Sequence, residues 1–206
     1  MQIAIRHPFI HQAHDLGGLI GGCRKVSTFM SRLERQAKQF PDRYDPEKYK
    51  GDGFEFLAEA MIKLMGTHPA IGIAEYEVVL GDEDCGVDGV GKGVRTQTVT
   101  VQVKYRGKTD SVLTANKDHL SNFTSYSQMR YRVDVFPENK AEKNMVIFTT
   151  ADSLHHFTKE KMFLDAVRCI GYKDLRKMLD NNLIFWEQLE QLSVEAVQDY
   201  REKSGG

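Results

Sequence analysis

GVDGVGKGVRTQTVTVQVKYRG, residues 86–107, is the stretch that decides how this chain is expected to fold. From Thr98 to Lys104 its polar and apolar residues alternate strictly, and successive side chains of a β-strand point to opposite faces of the sheet. The three valines of this run share one face, which is expected to enter the core. Gln102 and Lys104 share the other face, so they are expected to look away from that core.

The flanking sequence predicts an order of helix, three strands, helix and strand. A helix is expected from Asp52 to Gly66, because apolar residues recur there at three- and four-residue steps. Strands are expected within 71–80, 87–93, 96–106 and 143–152, with a helix within 114–129. The first three strands can form an antiparallel meander, and a strand reached through a crossover helix is expected to pair in parallel. The predicted fold class is α/β, with a mixed central sheet flanked by helices.

The composition bounds the protein's class. The chain has 206 residues, 41% of them hydrophobic, which is typical of one soluble domain. A formal net charge of −1 gives no global basic field, so a nucleic-acid partner would need a local patch. Three widely spaced cysteines indicate reduced thiols, and we see neither a secretory signal nor a membrane-spanning run. We therefore expect a soluble cytoplasmic protein with no membrane partner.

A set of polar residues on these elements suits metal chemistry. If the neighbouring strand carries Asp88, its carboxylate lies beside Gln102, and a packed helix could add Glu55 or Glu59, one turn apart. Mg²⁺ prefers such oxygen ligands. Lys104 beside a metal could orient or help deprotonate a bound water and neutralise charge on a phosphate. Metal-assisted phosphodiester hydrolysis fits these parts.

These residues resemble the PD-(D/E)xK nuclease superfamily, in its Mrr-like restriction-endonuclease branch, with Q-x-K in place of the commoner E-x-K. GFEFLAEAMIKLMG, residues 53–66, is similar to that family's opening helix. NMVIFTTADSLHHFTKE, residues 144–160, is similar to its strand that ends in two threonines before a helix. The resemblance covers about residues 51–185 and implies a restriction-endonuclease-like αβββαβ core there. Outside it, a helical spacing within 24–40 and a break with two prolines and two glycines within 41–53 predict a helical N-terminal extension at 1–50. Residues 186–206 are expected to form a C-terminal helix and tail.

The resemblance also implies the roles of individual residues. Asp88 is the principal metal-binding carboxylate, and Gln102 and Val103 bind the metal through a side-chain amide oxygen and a backbone carbonyl. Lys104 is the catalytic lysine. Glu55 is the helix acid, with Glu59 as the open alternative. The implied cofactor is Mg²⁺, with Mn²⁺ as a substitute.

A local cluster of positive charge surrounds the motif and predicts a nucleic-acid partner. Phosphate contacts are expected from four of its residues, Lys92, Arg95, Arg106 and Lys108. The predicted function is that of a Mg²⁺-dependent DNA endonuclease of restriction, phage or mobile-element type, with a homodimer or a helicase partner as open alternatives. The rival is a non-catalytic nucleic-acid-binding or assembly protein, because Gln102 lacks the charge of a glutamate. A structural α/β protein with no nucleic-acid role is the third alternative.

For several other polar residues, a structural interpretation competes with a metal-binding one. His7, His11 and His14 follow at helical steps and could form a zinc-binding face, but they suit a surface helix or an arm near DNA equally well. The acidic loop at 82–84 and Glu77 could add metal ligands, yet an acidic loop is more often a solvated turn.

Overall fold

The computed structural model describes residues 3–80, 86–114, 117–134, 143–155 and 167–204. The chain divides into two compact units, a helical unit of residues 1–65 and 175–206 and a sheet unit of residues 66–174. The boundary expected at residue 50 falls inside one continuous helix, so the N-terminal extension and the helix after it belong to the same unit.

The sheet unit contains a mixed five-stranded sheet. Its strands are β1 Ile73–Val78, β2 Gly89–Gly93, β3 Thr98–Lys104, β5 Met145–Thr149 and β7 Val167–Ile170, in that spatial order. The first three strands are antiparallel, and β3, β5 and β7 run parallel. The predicted meander, the parallel fourth strand and the α/β class are thereby confirmed. Two short strands, β4 Val112–Leu113 and β6 Ser153–Leu154, pair in parallel in a separate small sheet.

Helix α5, Leu120–Met129, covers the face of the sheet that carries Thr100 and Gln102. The hydroxyl groups of Thr100 and Ser127 on α5 form a buried hydrogen bond of 2.7 Å. Phe123 from the same helix and Ile147, the partner of Gln102 in β5, belong to one apolar cluster. The expectation that Gln102 looks away from the core is therefore wrong. Its side chain is fully buried, because α5 brings a second apolar layer over this face.

The helical unit holds five helices wholly within it among the described residues: α1 Phe9–Gln12, α2 Leu16–Ile20, α3 Val26–Ala37, α4 Pro46–Met65 and α7 Leu183–Ser204. A further helix, α6 Tyr172–Leu179, carries the chain out of the sheet unit. Helix α4 begins six residues before the predicted Asp52 and continues through Gly51 and Gly53. Pro46 does not prevent this, because the first turn of a helix does not need the N–H group that proline lacks. In the part of the chain described here, no helix has the length and apolarity to span a membrane.

Gly53 marks a close approach between α3 and α4. A Cβ atom at this position would overlap the Leu33 side chain and touch the Phe9 ring. At Gly51, half a turn away on the same helix, nothing lies within 4 Å of the corresponding point.

We expect these two glycines to respond to alanine with opposite signs. Gly51→Ala should raise the free energy of unfolding by roughly 0.5–1 kcal/mol, because alanine has the better helix propensity and open space. Gly53→Ala should lower it by about 1–2 kcal/mol, since Leu33 must shift within a packed core. Urea denaturation of both variants measures the difference, and an equal gain at both positions would contradict the close packing of α3 against α4.

Candidate functional site

Asp88 lies at the point where the pairing of β2 with β3 ends. Its backbone N–H donates to the Val101 carbonyl at 2.9 Å, and its carboxylate accepts the Val103 N–H at 2.6 Å. Because Gly89 is paired with Val101, the next pair in this register is Asp88 with Gln102. The carboxylate therefore replaces a backbone acceptor at the first place where β2 can no longer supply one.

The Val103 carbonyl points toward the same edge. In an extended strand, the N–H and C=O groups of one residue point to the same side. The Val103 N–H meets the Asp88 carboxylate, so the Val103 carbonyl also faces the side of β3 where the pairing with β2 has ended. This orientation suits the predicted role of Val103 as a backbone ligand.

Gln102 carries a buried amide that is not satisfied within the described residues. Neither its Oε1 nor its Nε2 atom has a hydrogen-bond partner there, although the side chain is 0% exposed. A Cβ atom added at Gly86 would lie 2.9 Å from Nε2, so a larger residue at 86 would crowd this amide. Leaving a buried polar group without a hydrogen bond costs about 1–3 kcal/mol of stability. The Gln102 amide is therefore a candidate for binding a ligand.

Lys104 is the last residue of β3 and lies two positions beyond Gln102, on the same face. Its side chain is partly exposed. Across the residues that the structure describes, its ammonium group makes no hydrogen bond or ion pair. The end of β3 thus brings together four of the predicted site residues, Asp88, Gln102, Val103 and Lys104.

The four predicted phosphate contacts are split between the two ends of the β2–β3 hairpin. Lys92 and Arg95 are exposed at the turn, and the six steps from Thr98 to Lys104 span about 20 Å at the usual rise of a strand. Lys108 is exposed in the loop after β3. Arg106, in the same loop, forms an ion pair with Asp118. Only Arg106 and Lys108 therefore belong to the same end of the hairpin as Lys104.

Glu55 belongs to the helical unit, where it lies in a cluster with His7 and Asp52. One ligand atom from each of the three residues lies within 4.8 Å of the others. The His7 Nε2 atom is 3.1 Å from a Glu55 carboxylate oxygen. Asp52 already accepts a hydrogen bond from the Tyr44 hydroxyl and forms an ion pair with Lys48 at 3.0 Å. Burial and this hydrogen bond to Asp52 raise the pKa of Tyr44.

The hydrogen bonds of His7 favour a positioning role over a metal-binding role. Its Nδ1 atom accepts the Phe9 N–H at 3.2 Å, so in the neutral ring the hydrogen is on Nε2, the atom that faces Glu55. A metal bound at Nε2 would require the hydrogen on Nδ1, against the Phe9 N–H. In this arrangement His7 donates to Glu55 and orients it. No sequence pattern indicates this contact, because the two residues are 48 positions apart.

Glu59 has a structural role that separates it from Glu55. It is 0% exposed, and its two oxygens accept the N–H groups of Arg6 and His7 at 2.9 and 2.8 Å. It also forms an ion pair with Lys63 at 2.6 Å. Glu59 therefore fixes the N-terminal segment to α4, whereas the Glu55 carboxylate stays partly exposed. The role of Glu55 as the helix acid stays a prediction.

The remaining candidates are dispersed or lie outside the described residues. The rings of His11 and His14 stack on Tyr200 and Tyr49 respectively, so the three N-terminal imidazoles have three different partners. Glu77 is exposed on β1. The acidic loop at 82–84 lies outside the described residues.

No protein-family model, no curated protein and no solved structure matches this chain.

We expect Glu59→Gln to lower the free energy of unfolding by about 3 kcal/mol, because it removes the buried negative charge that pairs with the partly exposed Lys63 ammonium and places an amide NH₂ group against one of the two backbone N–H groups. The matched variant Glu55→Gln should change it by less than about 1 kcal/mol, since its carboxylate is partly exposed. Urea denaturation measures both values, and amide hydrogen exchange should show faster exchange at Arg6 and His7 only in Glu59→Gln. Equal stability of the two variants would refute the structural assignment of Glu59.

Proposed function

We propose that this protein is a metal-dependent nuclease that hydrolyses phosphodiester bonds of DNA at the end of β3. The observation that carries the proposal is the buried amide of Gln102, which has no partner within the described residues and stands next to Asp88 in the strand register. A buried amide oxygen, a carboxylate and an outward-pointing carbonyl form a set of hard oxygen donors. A hard divalent cation is the ligand that such a set binds best.

The residues at the end of β3 fit Mg²⁺, with Mn²⁺ as a substitute. Asp88, Gln102 and Val103 would hold the ion through oxygen atoms, which are the ligands that both ions accept. When bound, the metal would polarise the phosphate and lower the pKa of a coordinated water. Soft metals are disfavoured, because the group contains neither thiolate nor imidazole.

Lys104 supplies the positive charge of the proposed site. It follows Gln102 on the same face of β3, so an ammonium group and the proposed ligands project from one short stretch of strand. An ammonium in this position would neutralise charge that develops on a phosphate oxygen, and it could orient the attacking water. The strand order of the sheet is compatible with the restriction-endonuclease-like core that the sequence resemblance implies.

The positions of the cations favour a long polyanion as the substrate. Lys108 belongs to the loop that follows Lys104, whereas Lys92 and Arg95 lie about 20 Å away along the strands. Duplex DNA carries a phosphate every 3.4 Å along each strand, so the two groups would contact phosphates about six base pairs apart. A single site cuts one strand, and double-strand cleavage would therefore need a homodimer, a helicase partner or a second binding event.

A second candidate function is nucleic-acid binding without catalysis. Among the four described residues Asp88, Gln102, Val103 and Lys104, Asp88 is the one with a carboxylate, and one of its oxygens already accepts the Val103 N–H. Metal affinity rises with the number of charged ligands. The Q-x-K arrangement therefore weakens the metal site relative to E-x-K, and a protein that only binds DNA would tolerate this loss.

We expect Gln102→Met to stabilise the metal-free protein and to weaken its response to metal. Removing a buried amide without partners should raise the free energy of unfolding by about 1 kcal/mol in EDTA. Saturating Mg²⁺ should stabilise the wild type, by about 2.7 kcal/mol at a hundredfold excess over Kd, and the variant far less. Urea denaturation in both buffers gives these values. The exposed Gln128→Met is the matched control, and a loss of stability in metal-free Gln102→Met would show that the amide is already satisfied.

The nuclease activity itself is tested by nicking of supercoiled plasmid with Mg²⁺ or Mn²⁺. Asp88→Asn and Lys104→Ala should each lower the rate by about 100-fold or more, because each removes charge that acts on the transition state. Asp199→Asn and Lys173→Ala carry the same chemical changes at exposed positions and should cut at the wild-type rate. The nicking rate of Glu55→Gln is measured separately, because it tests the predicted role of Glu55 as the helix acid.

Two results would contradict the nuclease proposal. Equal cutting by wild type, Asp88→Asn and Lys104→Ala would place the activity elsewhere. Absence of cutting by the wild type on supercoiled, linear and single-stranded DNA, together with salt-dependent DNA binding, would favour the non-catalytic alternative.

A further inference from the structure

Two buried threonines hold the backbone that carries Lys104. Thr149 is the last residue of β5, Thr150 follows it, and both are fully buried. The Thr149 hydroxyl donates to the Lys104 carbonyl at 2.8 Å and accepts the Ala151 N–H at 3.1 Å. The Thr150 hydroxyl donates to the Arg106 carbonyl at 2.8 Å and accepts the Arg106 N–H at 2.5 Å.

These bonds begin where the regular pairing of β3 with β5 stops. Lys104 and Thr149 form the last pair of the parallel ladder. Beyond it, a loop would normally leave its backbone groups to water. Here the threonine hydroxyls bind backbone groups on both sides of Tyr105, and the Thr150 N–H adds a contact of 3.3 Å to the Lys104 carbonyl. The direction in which Lys104 leaves the strand is therefore fixed by side chains of β5.

An ion pair also restrains the same loop. The Arg106 guanidinium forms an ion pair with Asp118, and the other Asp118 oxygen accepts the Thr114 N–H at 2.6 Å. Arg106 is thus held through its backbone by Thr150 and through its side chain by Asp118. A residue bound in this way is better suited to bracing the loop than to releasing its side chain for a phosphate.

We propose that Thr149 and Thr150 are positioning residues that set the orientation of Lys104 for phosphodiester hydrolysis. The inference rests on the proposed nuclease function. A lysine side chain has four rotatable bonds and considerable rotamer entropy, so its ammonium reaches one place reproducibly only if the Cα–Cβ direction is constant. Catalytic groups displaced by about 1 Å can lose about 100-fold in rate. The hydroxyl groups, rather than the volume of the threonines, supply this constraint.

The test separates the hydroxyl from the shape of the side chain. Thr149→Val and Thr150→Val keep the volume and remove the hydroxyl, whereas Thr149→Ser keeps the hydroxyl. Thr124→Val is the matched control, because the buried Thr124 hydroxyl bonds only to the Ser121 carbonyl within α5 among the described contacts. In plasmid nicking, each valine variant of the pair should lower kcat about tenfold with KM within about twofold of wild type. Thr149→Ser and Thr124→Val should stay within about threefold of the wild-type kcat.

Amide hydrogen exchange gives a readout that does not depend on cleavage. Thr149→Val should speed exchange at Ala151, and Thr150→Val at Arg106, by about tenfold or more, because each amide loses its acceptor. Thr149→Ser should keep the wild-type protection. Wild-type kcat in both valine variants would overturn the positioning role, as would equal losses in Thr149→Ser and Thr149→Val. If the wild type cuts no DNA, the nuclease proposal fails. Unchanged exchange in the valine variants would separately refute the inference that the Thr149 and Thr150 hydroxyl groups hold the backbone after β3.

Discussion

The pairing of β3 on both of its edges is the constraint on which the rest of the sheet unit depends. Strand β3 is antiparallel to β2 on one side and parallel to β5 on the other, and five of its seven residues are buried. Both ladders end near Lys104, where side chains in place of backbone groups form the hydrogen bonds to β3. The Asp88 carboxylate accepts the Val103 N–H on the β2 side, and the Thr149 hydroxyl binds the Lys104 carbonyl on the β5 side. The end of β3 is thus fixed on both edges without a further strand.

Two polar residues on one face of β3 show why Gln102 differs from an ordinary buried polar residue. Thr100 is as deeply buried as Gln102, and its hydroxyl is satisfied by Ser127 of the covering helix. Gln102 lies one step further along the same face, where the described residues satisfy neither atom of its amide. A leucine or methionine would fill this volume at no polar cost. The amide is therefore explained better by a ligand than by packing, and this contrast is the physical basis of the proposed metal site.

Much of the sheet could be predicted from the sequence, because its strands carry strong local signals. Alternation over residues 98–104 predicted β3, and the apolar run before Thr149 predicted the parallel strand β5. The burial of Gln102 could not be predicted, since it depends on α5, a helix that folds over the polar face from a later part of the chain. The start of α4 was missed because the two prolines and two glycines within residues 41–53 are typical of a break between elements. Gly53 instead provides room for Leu33 of α3. This is a reason of tertiary packing, which local helix propensity does not contain.

The same limit applies to the candidate site. Helical spacing placed Glu55 and Glu59 on one face of α4 and left them as alternatives. Their difference comes from residues more than 50 positions earlier, because Glu59 binds the backbone of Arg6 and His7. Likewise, one cluster of cations in the sequence becomes two groups in the structure, because a hairpin separates Lys92 and Arg95 from the loop after β3. Sequence spacing gave the residue types, and the fold decided which of them can act together.

The charge balance at the end of β3 suggests that the proposed metal would contribute to DNA binding as well as to catalysis. The described residues of the segment from Lys104 to Asp118, together with Asp88, carry four cations against three carboxylates, namely Lys104, Arg106, Lys108 and Lys117 against Asp88, Asp110 and Asp118. This end of the sheet is therefore close to neutral by itself, and the ion pair of Arg106 with Asp118 withdraws one cation from any phosphate. A bound divalent cation would be the largest charge in the region and would set the sign of the local field. Attraction of a DNA backbone to this end of the sheet, and not only its cleavage, should therefore depend on the metal.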